Sequence, residues 1–354
     1  MLPFGTHVTI LAFILWSLLK VAVVTVVMLM GIAYTVLLER KLVGRIQNRW
    51  GPSRVGPFGL LQPLVDGAKS FLKEDLVPTA VYRPLYLLAP IISLGCALIA
   101  IAVIPFGAPI GPKGLDLFEI SNINVGLLVL LAITSVGVYG IALAGWSSNN
   151  KYSLLGALRS SAQLISYELA LGLSLVGVVL RAGSLNLRDI VNQQATYGMA
   201  TWNIFGGCQF FAFFIYLAAA FAETNRSPFD LPEAESELTG GYHTEYSSMK
   251  FAMFFMAEYG NMINVGCVAT LLFLGGWTSP FGDTLGPFEN PVINAVLPII
   301  WFVGKVFCFL CLYVWVRGTL PRFRYDQLMT FGWRYLLPLA MLNILGTSLW
   351  LAYR

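Results

Sequence analysis

The chain has 354 residues, 57% of them hydrophobic and 11% charged, with a mean hydropathy of +0.73. Soluble domains carry about 25% charged residues, so the composition excludes a soluble protein and implies an all-α polytopic membrane protein, a single membrane domain over 1–354. The formal charge of +4 follows the membrane topology set out below and calls for no nucleic-acid partner.

Apolar stretches of roughly 20 residues, the length that crosses hydrocarbon, fall at about 11–38, 84–106, 125–146, 160–180, 204–222, 251–275, 292–316 and 335–353. They predict eight transmembrane helices. The first is longer than the 7 to 15 apolar residues of a secretory signal and lacks a small-residue cleavage site, so it reads as a retained span. Lys20 within it is near enough to an end to snorkel outward.

The first connection, 39–83, opens on Glu39-Arg40-Lys41 and runs through Arg45 and Arg49 to Gly51, Pro52, Gly56, Pro57 and Gly59, a sharply turned and rigid path. Beyond it, Leu60, Leu61, Leu64, Ala68, Phe71 and Leu72 recur at helical spacing, with Gln62, Asp66, Lys69 and Lys73 on the opposite stripe. This amphipathic helix, about 60–75, is too short and too charged to span and is expected to lie along the membrane surface. It serves there as a brace or as one wall of a portal for an amphiphile.

Lys and Arg are retained on the cytoplasmic side. The first, third, fifth and seventh connections hold sixteen of them, the even connections and the termini four. Both termini are therefore expected outside, and the odd connections inside.

In the fourth span Ser161, Leu164, Glu168 and Gly172 share a helical face, with Tyr167 beside Glu168. An ionisable residue at that depth is by default a functional one, with pairing to a cation from another helix as the alternative. The fifth connection, 223–250, is acidic. Six of the eighteen carboxylates, Glu223, Asp230, Glu233, Glu235, Glu237 and Glu245, fall between Glu223 and Glu245. Ser227 to Pro232 supplies rigid turns there and Gly240-Gly241 a hinge. Charge so dense beside apolar helices requires water or a partner, and reads as proton or ion chemistry at a membrane surface, with a solvated acidic loop as the alternative. Glu258 and Lys305 are further deep charges, expected either to pair or to continue a polar track.

Cys96, Cys208, Cys267, Cys308 and Cys311 all fall inside apolar stretches, and the isolated Cys308/Cys311 CxxC cannot complete a four-thiolate set. His7 and His243 are the only histidines. Neither metal, heme, iron-sulfur cluster nor flavin is expected in this chain, which also lacks a Gly-rich dinucleotide fingerprint.

Three segments in register carry a family resemblance: ERKLVGRIQNRWGPSRVGPFGLLQPLVDGAKSFLKED, AQLISYE, and AETNRSPFDLPEAESELTGGYHTEY followed by KFAMFFMAEY. They resemble the H-type (chain 1) membrane subunit of respiratory complex I, the proton-pumping NADH:quinone oxidoreductase, from about residue 30 to 350. The resemblance implies a subunit that joins membrane and peripheral arms and forms a quinone chamber opening to the bilayer. Glu39, Arg40, Arg45, Arg49, Asp66 and Phe71 would line its entrance or its lower chamber. Glu168, Tyr167, Glu223, Asp230, Glu233, Glu235, Glu237 and Glu258 would couple quinone reduction to proton channels in neighbouring subunits. Quinone is then a substrate, the partners are the other subunits of the complex, and a bacterial plasma membrane is the expected location. A homologous anchor of energy-converting hydrogenases, a stand-alone ion transporter and a purely structural anchor are the rival readings. Residues 186–203 and 277–291 are matched to nothing.

Overall fold

The computed structural model describes residues 10–108, 118–195, 198–230, 240–281 and 291–353, with side chains from residue 14 and, in the last segment, from residue 293. Among them all regular structure is helical: α1 (Ile10–Ile46), α2 (Gln62–Leu72), α3 (Arg83–Ala100), α4 (Gly126–Ser147), α5 (Lys151–Ala182), α6 (Leu187–Gln194), α7 (Gln209–Glu223), α8 (Ser248–Phe273), α9 (Pro291–Thr319) and α10 (Tyr325–Ala352). Local chemistry sets several ends. Asn48, at φ 55, follows α1 in the left-handed conformation that Asn tolerates better than most residues. The Asn150 side chain accepts from the Tyr152 N–H at 3.0 Å to start α5, and Gly183, at φ 65, closes it with its N–H on the Val179 carbonyl at 2.8 Å.

Among the described residues six helices are long and apolar enough to cross a membrane: Ile14–Ile46, Arg83–Val103, Gly126–Ser147, Lys151–Ala182, Ile293–Thr319 and Tyr325–Ala352. The other two expected spans, 204–222 and 251–275, correspond to α7, with only 15 residues, and α8, with 26. The polar character of α8 has a plain cause. Every residue from Ala257 to Phe273 except Asn261 is buried, so the helix is solvated by protein and is free to carry Glu258, Asn264 and Thr270.

α8 is the axis of the bundle, packed by α1, α3, α6, α7 and α9, while α5 packs on α4, α7 and α10. Small residues bring backbones together. A Cβ at Gly140 would lie 2.9 Å from the Ser93 nitrogen on α3, and one at Gly145 would lie 2.2 Å from the Ala157 Cβ on α5. The expected amphipathic helix is present as α2, shorter than 60–75.

Lys305 and Glu258 do not pair. The Lys305 ammonium donates to the carbonyls of Leu274 (2.7 Å), Gly276 (2.9 Å) and Thr278 (2.8 Å), just past the far end of α8, and lies 4.2 Å from the Trp202 ring centre. All three N–H groups are thus spent on the carbonyls where the helix dipole is negative. Gln194 and Asn203 of the unmatched 186–203 segment meet the same end of α8. Gln194 donates to the Leu271 carbonyl at 2.9 Å and accepts from the Asn203 and Gly275 N–H groups, while Asn203 donates to the Leu272 carbonyl at 2.7 Å. Of 277–291, residues 282–290 lie outside the described residues.

Candidate functional site

At the end of the bundle where α1 stops, Met28, Ile32, Thr35 and Glu39 form a buried stripe at helical spacing. The stripe carries Glu39 inward and leaves the adjacent Arg40 exposed. Just beyond α7, Asn225 at φ 49 turns the chain back and delivers Arg226 into the interior. Gln163 on α5 fixes this turn, donating to the carbonyls of Ala222 (2.8 Å) and Phe229 (2.9 Å).

Arg226 then stands between two carboxylates, 3.9 Å from Glu39 and 3.8 Å from Glu258, with its guanidinium 4.1 Å from the Tyr259 ring centre. Tyr259 donates to Glu39 at 2.6 Å, Tyr242 donates to Glu258 at 2.9 Å, and Arg317 of α9 pairs with the other Glu39 oxygen. Two carboxylates and two guanidiniums balance in charge. Glu39, Arg226 and Glu258 are buried and Arg317 partly so; each charge has partners, and removing one from such a set is costly.

Tyr242 is placed by a close approach between loop and helix. A Cβ at Gly156 of α5 would lie 2.8 Å from the Gly241 Cα, and Ser153 donates to the Tyr242 carbonyl at 3.0 Å. Nearby, Tyr246 stacks on Tyr86 at 4.2 Å, and burial pushes its hydroxyl up to about 12, so it remains a neutral donor at physiological pH.

Next to the ion cluster lies a cavity of about 30 Å³ lined by Ser93, Thr134, Glu168, Glu223, Asn225, Tyr242, Glu258 and Asn261, among others. A water needs about 10–15 Å³ by this measure, so there is room for about two. Glu258 is common to both features, facing the cavity and contacting Arg226. Three of the carboxylates singled out in the sequence are thus brought together, and Glu39, expected at the quinone entrance or lower chamber, is joined to them through Arg226.

The remaining candidates are dispersed. Asp230 is buried elsewhere, 3.0 Å from Arg322. Tyr167 lies about 100° around α5 from Glu168 and faces α10, where its hydroxyl donates to the Leu328 carbonyl at 2.8 Å. Arg40 and Asp66 pair at 2.7 Å on the outside of α1 and α2. Arg45 leans on Trp50, Arg49 donates to Gln47 at 2.7 Å, and Phe71 is 71% exposed. Glu233, Glu235 and Glu237 lie outside the described residues.

The sequence family described as NADH dehydrogenase matches residues 19–348. A relative from Koribacter versatilis, an H-type subunit of NADH-quinone oxidoreductase numbered 2, is 58% identical over 358 residues, covering 98% of this chain and 99% of its own. The H-type subunit numbered 1 of Solibacter usitatus is 48% identical, covering 97% of this chain and 98% of its own. The H-type subunit of Leptospira biflexa is 50% identical, covering 96% and 95%. The chain belongs to the H-type subunit family of NADH-quinone oxidoreductases. As a member of that family it is a multi-pass membrane protein, in keeping with its apolar helices.

In this H-type chain, Arg226, Arg317, Tyr242 and Tyr259 are site residues that reading the sequence missed. The two arginines count there only as retained positive charge. One signal was available for Arg226: a cation three residues after Glu223, at the end of an apolar helix, in a segment otherwise acidic. Nothing local distinguishes Tyr242 or Tyr259 from packing aromatics.

Proposed function

We propose that this chain is the membrane subunit through which an NADH-quinone oxidoreductase admits quinone and passes the consequence of its reduction to proton-translocating neighbours. The decisive contact is the bridge from Glu39 through Arg226 to Glu258, because it links the end of α1 to the cavity shared by Glu168 and Glu223. Arg226 stands at nearly equal range from both carboxylates. A new negative charge near Glu39 or Arg40 draws the guanidinium that way and leaves Glu258 less compensated. Closely spaced carboxyls then redistribute their protons, since such groups titrate together. Two-electron reduction of a quinone supplies that charge, or demands two protons in its place.

Glu39, Arg40, Arg45, Arg49, Asp66 and Phe71 line the quinone entrance in this proposal, with the open apolar side of α2 resting on the membrane surface. Glu168, Glu223 and Glu258 form the proton-coupling centre, which Asp230, Glu233, Glu235 and Glu237 extend along the acidic loop. Tyr167 fixes α5 against α10 so that Glu168 faces the cavity. α7 and α8 complete eight crossings of a bacterial plasma membrane, with both termini outside. Flavin and iron-sulfur clusters belong to the partner subunits. The names and high identity of the relatives support this proposal over a hydrogenase anchor or an independent transporter.

The test is Glu168→Gln and Glu223→Gln in the intact complex in sealed vesicles. Protons moved per electron are expected to fall about 100-fold or more, the usual weight of a positioned acid or base, while the complex still assembles. Wild-type pumping in both variants would leave only a structural anchor.

A further inference from the structure

We infer that the cleft between α1 and α9 binds one acyl chain of an anionic phospholipid, with the lipid phosphate held at Lys20. From Ile10 to Leu38, α1 carries a single charged residue, Lys20. A cation in such a run is costly against hydrocarbon, and the group that receives it marks a site.

Packing opens the cleft. At one end the two helices touch: Arg317 pairs with Glu39, and a Cβ at Gly318 would lie 3.0 Å from the Ile46 Cδ1. Away from that contact a cavity of about 710 Å³ lies between them, within the roughly 300–1,000 Å³ of ligand pockets. Val27 of α1 with Val303 and Phe307 of α9 forms an exposed rim, and Met28, Ile263 and Cys267 are buried in the floor. The cleft is therefore open sideways, toward lipid. Thr35 in its wall turns its hydroxyl onto the Gly31 carbonyl at 2.7 Å, which keeps that stretch apolar.

Charge and dimensions choose the occupant. Lys20 and Glu119 also line the cavity. The Lys20 ammonium donates to the Glu119 backbone carbonyl at 3.4 Å, and the Glu119 carboxylate pairs with Arg188 at 3.5 Å. Among the described residues these contacts join two cations to one carboxylate, a net positive charge that a phosphate complements and a neutral quinone ring does not. From Lys20 to Thr35 α1 rises about 22 Å, more than the roughly 15 Å of hydrocarbon in one leaflet, so a whole acyl chain fits below a phosphate at Lys20. Spread along the roughly 33 Å from Trp16 to Leu38, the cavity averages roughly 5 Å across. A transmembrane helix, about 10–12 Å wide with its side chains, does not enter it.

The experiment uses the intact complex in liposomes that contain phosphatidylglycerol with a photoactivatable diazirine on one acyl chain, or phosphatidylcholine with the same chain. After illumination, adducts on α1 between Val23 and Thr35 and on α9 between Val303 and Leu310 are expected about tenfold more often with phosphatidylglycerol, the effect of one charge-assisted hydrogen bond. Lys20→Gln is expected to abolish that preference, and Val27→Trp, which narrows the cleft, to lower labelling there by both lipids. Equal labelling by the two lipids in the wild-type complex overturns the inference, as does a preference that survives Lys20→Gln. Labelling that added long-chain quinone displaces assigns the cleft to quinone, and an unlabelled cleft leaves it to a neighbouring subunit; either overturns the inference. Should Lys20→Gln fail to assemble, the wild-type comparison of the two lipids decides by itself.

Discussion

Arg226 reaches two carboxylates at almost the same range, 3.9 Å and 3.8 Å, and a planar fork is the side chain that can address both. Lysine is a single point charge and would settle on one. Arg226→Lys is therefore expected to assemble and to lose quinone reductase activity about tenfold or more, the equivalent of one charge-assisted hydrogen bond. Arg226→Met removes the cation that Glu39 and Glu258 share, and a stability loss of about 3–5 kcal/mol would appear as missing complex in native gels. Lys305 behaves differently because its partners are backbone carbonyls. Lys305→Met is expected to lower the melting temperature of the purified complex, costing about 3 kcal/mol or more for three charge-assisted bonds, while the fraction that assembles pumps normally. Impaired pumping in that assembled fraction would show that Lys305 does more than cap α8.

Among the elements, α2 and α8 are tied end to end. The Ser248 hydroxyl reaches the carbonyls of Ser70 and Lys73, each at 2.9 Å, the Leu76 N–H donates to the Ser247 hydroxyl at 3.0 Å, and Lys250 pairs with Asp75 at 2.8 Å. Ser248 holds φ 53, a conformation that a side chain disfavours. Its hydroxyl gives the position to Ser instead of Gly. Through this tie a shift of α2 pulls on the helix that carries Glu258 and Tyr259. Ser247→Ala with Ser248→Ala is expected to free the end of α2, so that trypsin cuts at Lys69 or Lys73 about fivefold faster or more in inside-out vesicles, in line with about 1 kcal/mol per lost bond. Unchanged cleavage would mean that other contacts hold α2. α10 has its own irregularity, a π segment at Phe331–Leu336 packed on Tyr167, where a Cβ on Gly332 would lie 3.3 Å from the Tyr167 ring. Such wide turns relieve crowding that a regular helix cannot absorb.

For the whole molecule the number of crossings turns on α7 and α8. In a background free of native cysteines, Ala200→Cys and Phe281→Cys are expected to react with impermeant maleimide only from outside, and Thr244→Cys only from inside. Labelling of all three from one side would remove α7 and α8 from the set of spans. A 15-residue helix is short for hydrocarbon, but α7 follows two tight turns, Gly198–Thr201 and Asn203–Phe205, which extend its reach.

Membrane class, helical fold, the short amphipathic helix and the family were all legible along the chain, because each depends on composition, spacing or motifs within a few tens of residues. Glu168, Glu223 and Glu258 were legible for a related reason: a carboxylate in an apolar run is conspicuous by the cost of its desolvation. Their partners were not. Glu39 is held by Arg226, Tyr259 and Arg317, and Gln163 holds a turn more than fifty residues away, pairings that no local pattern encodes. Tyr167 and Glu168 are adjacent in sequence yet face different helices, since one residue is about 100° of turn. Sequence alone placed the charges in or beside apolar runs. Tertiary structure decided which of them meet, because a charge buried in a bundle persists only where distant helices bring its counterpart within reach.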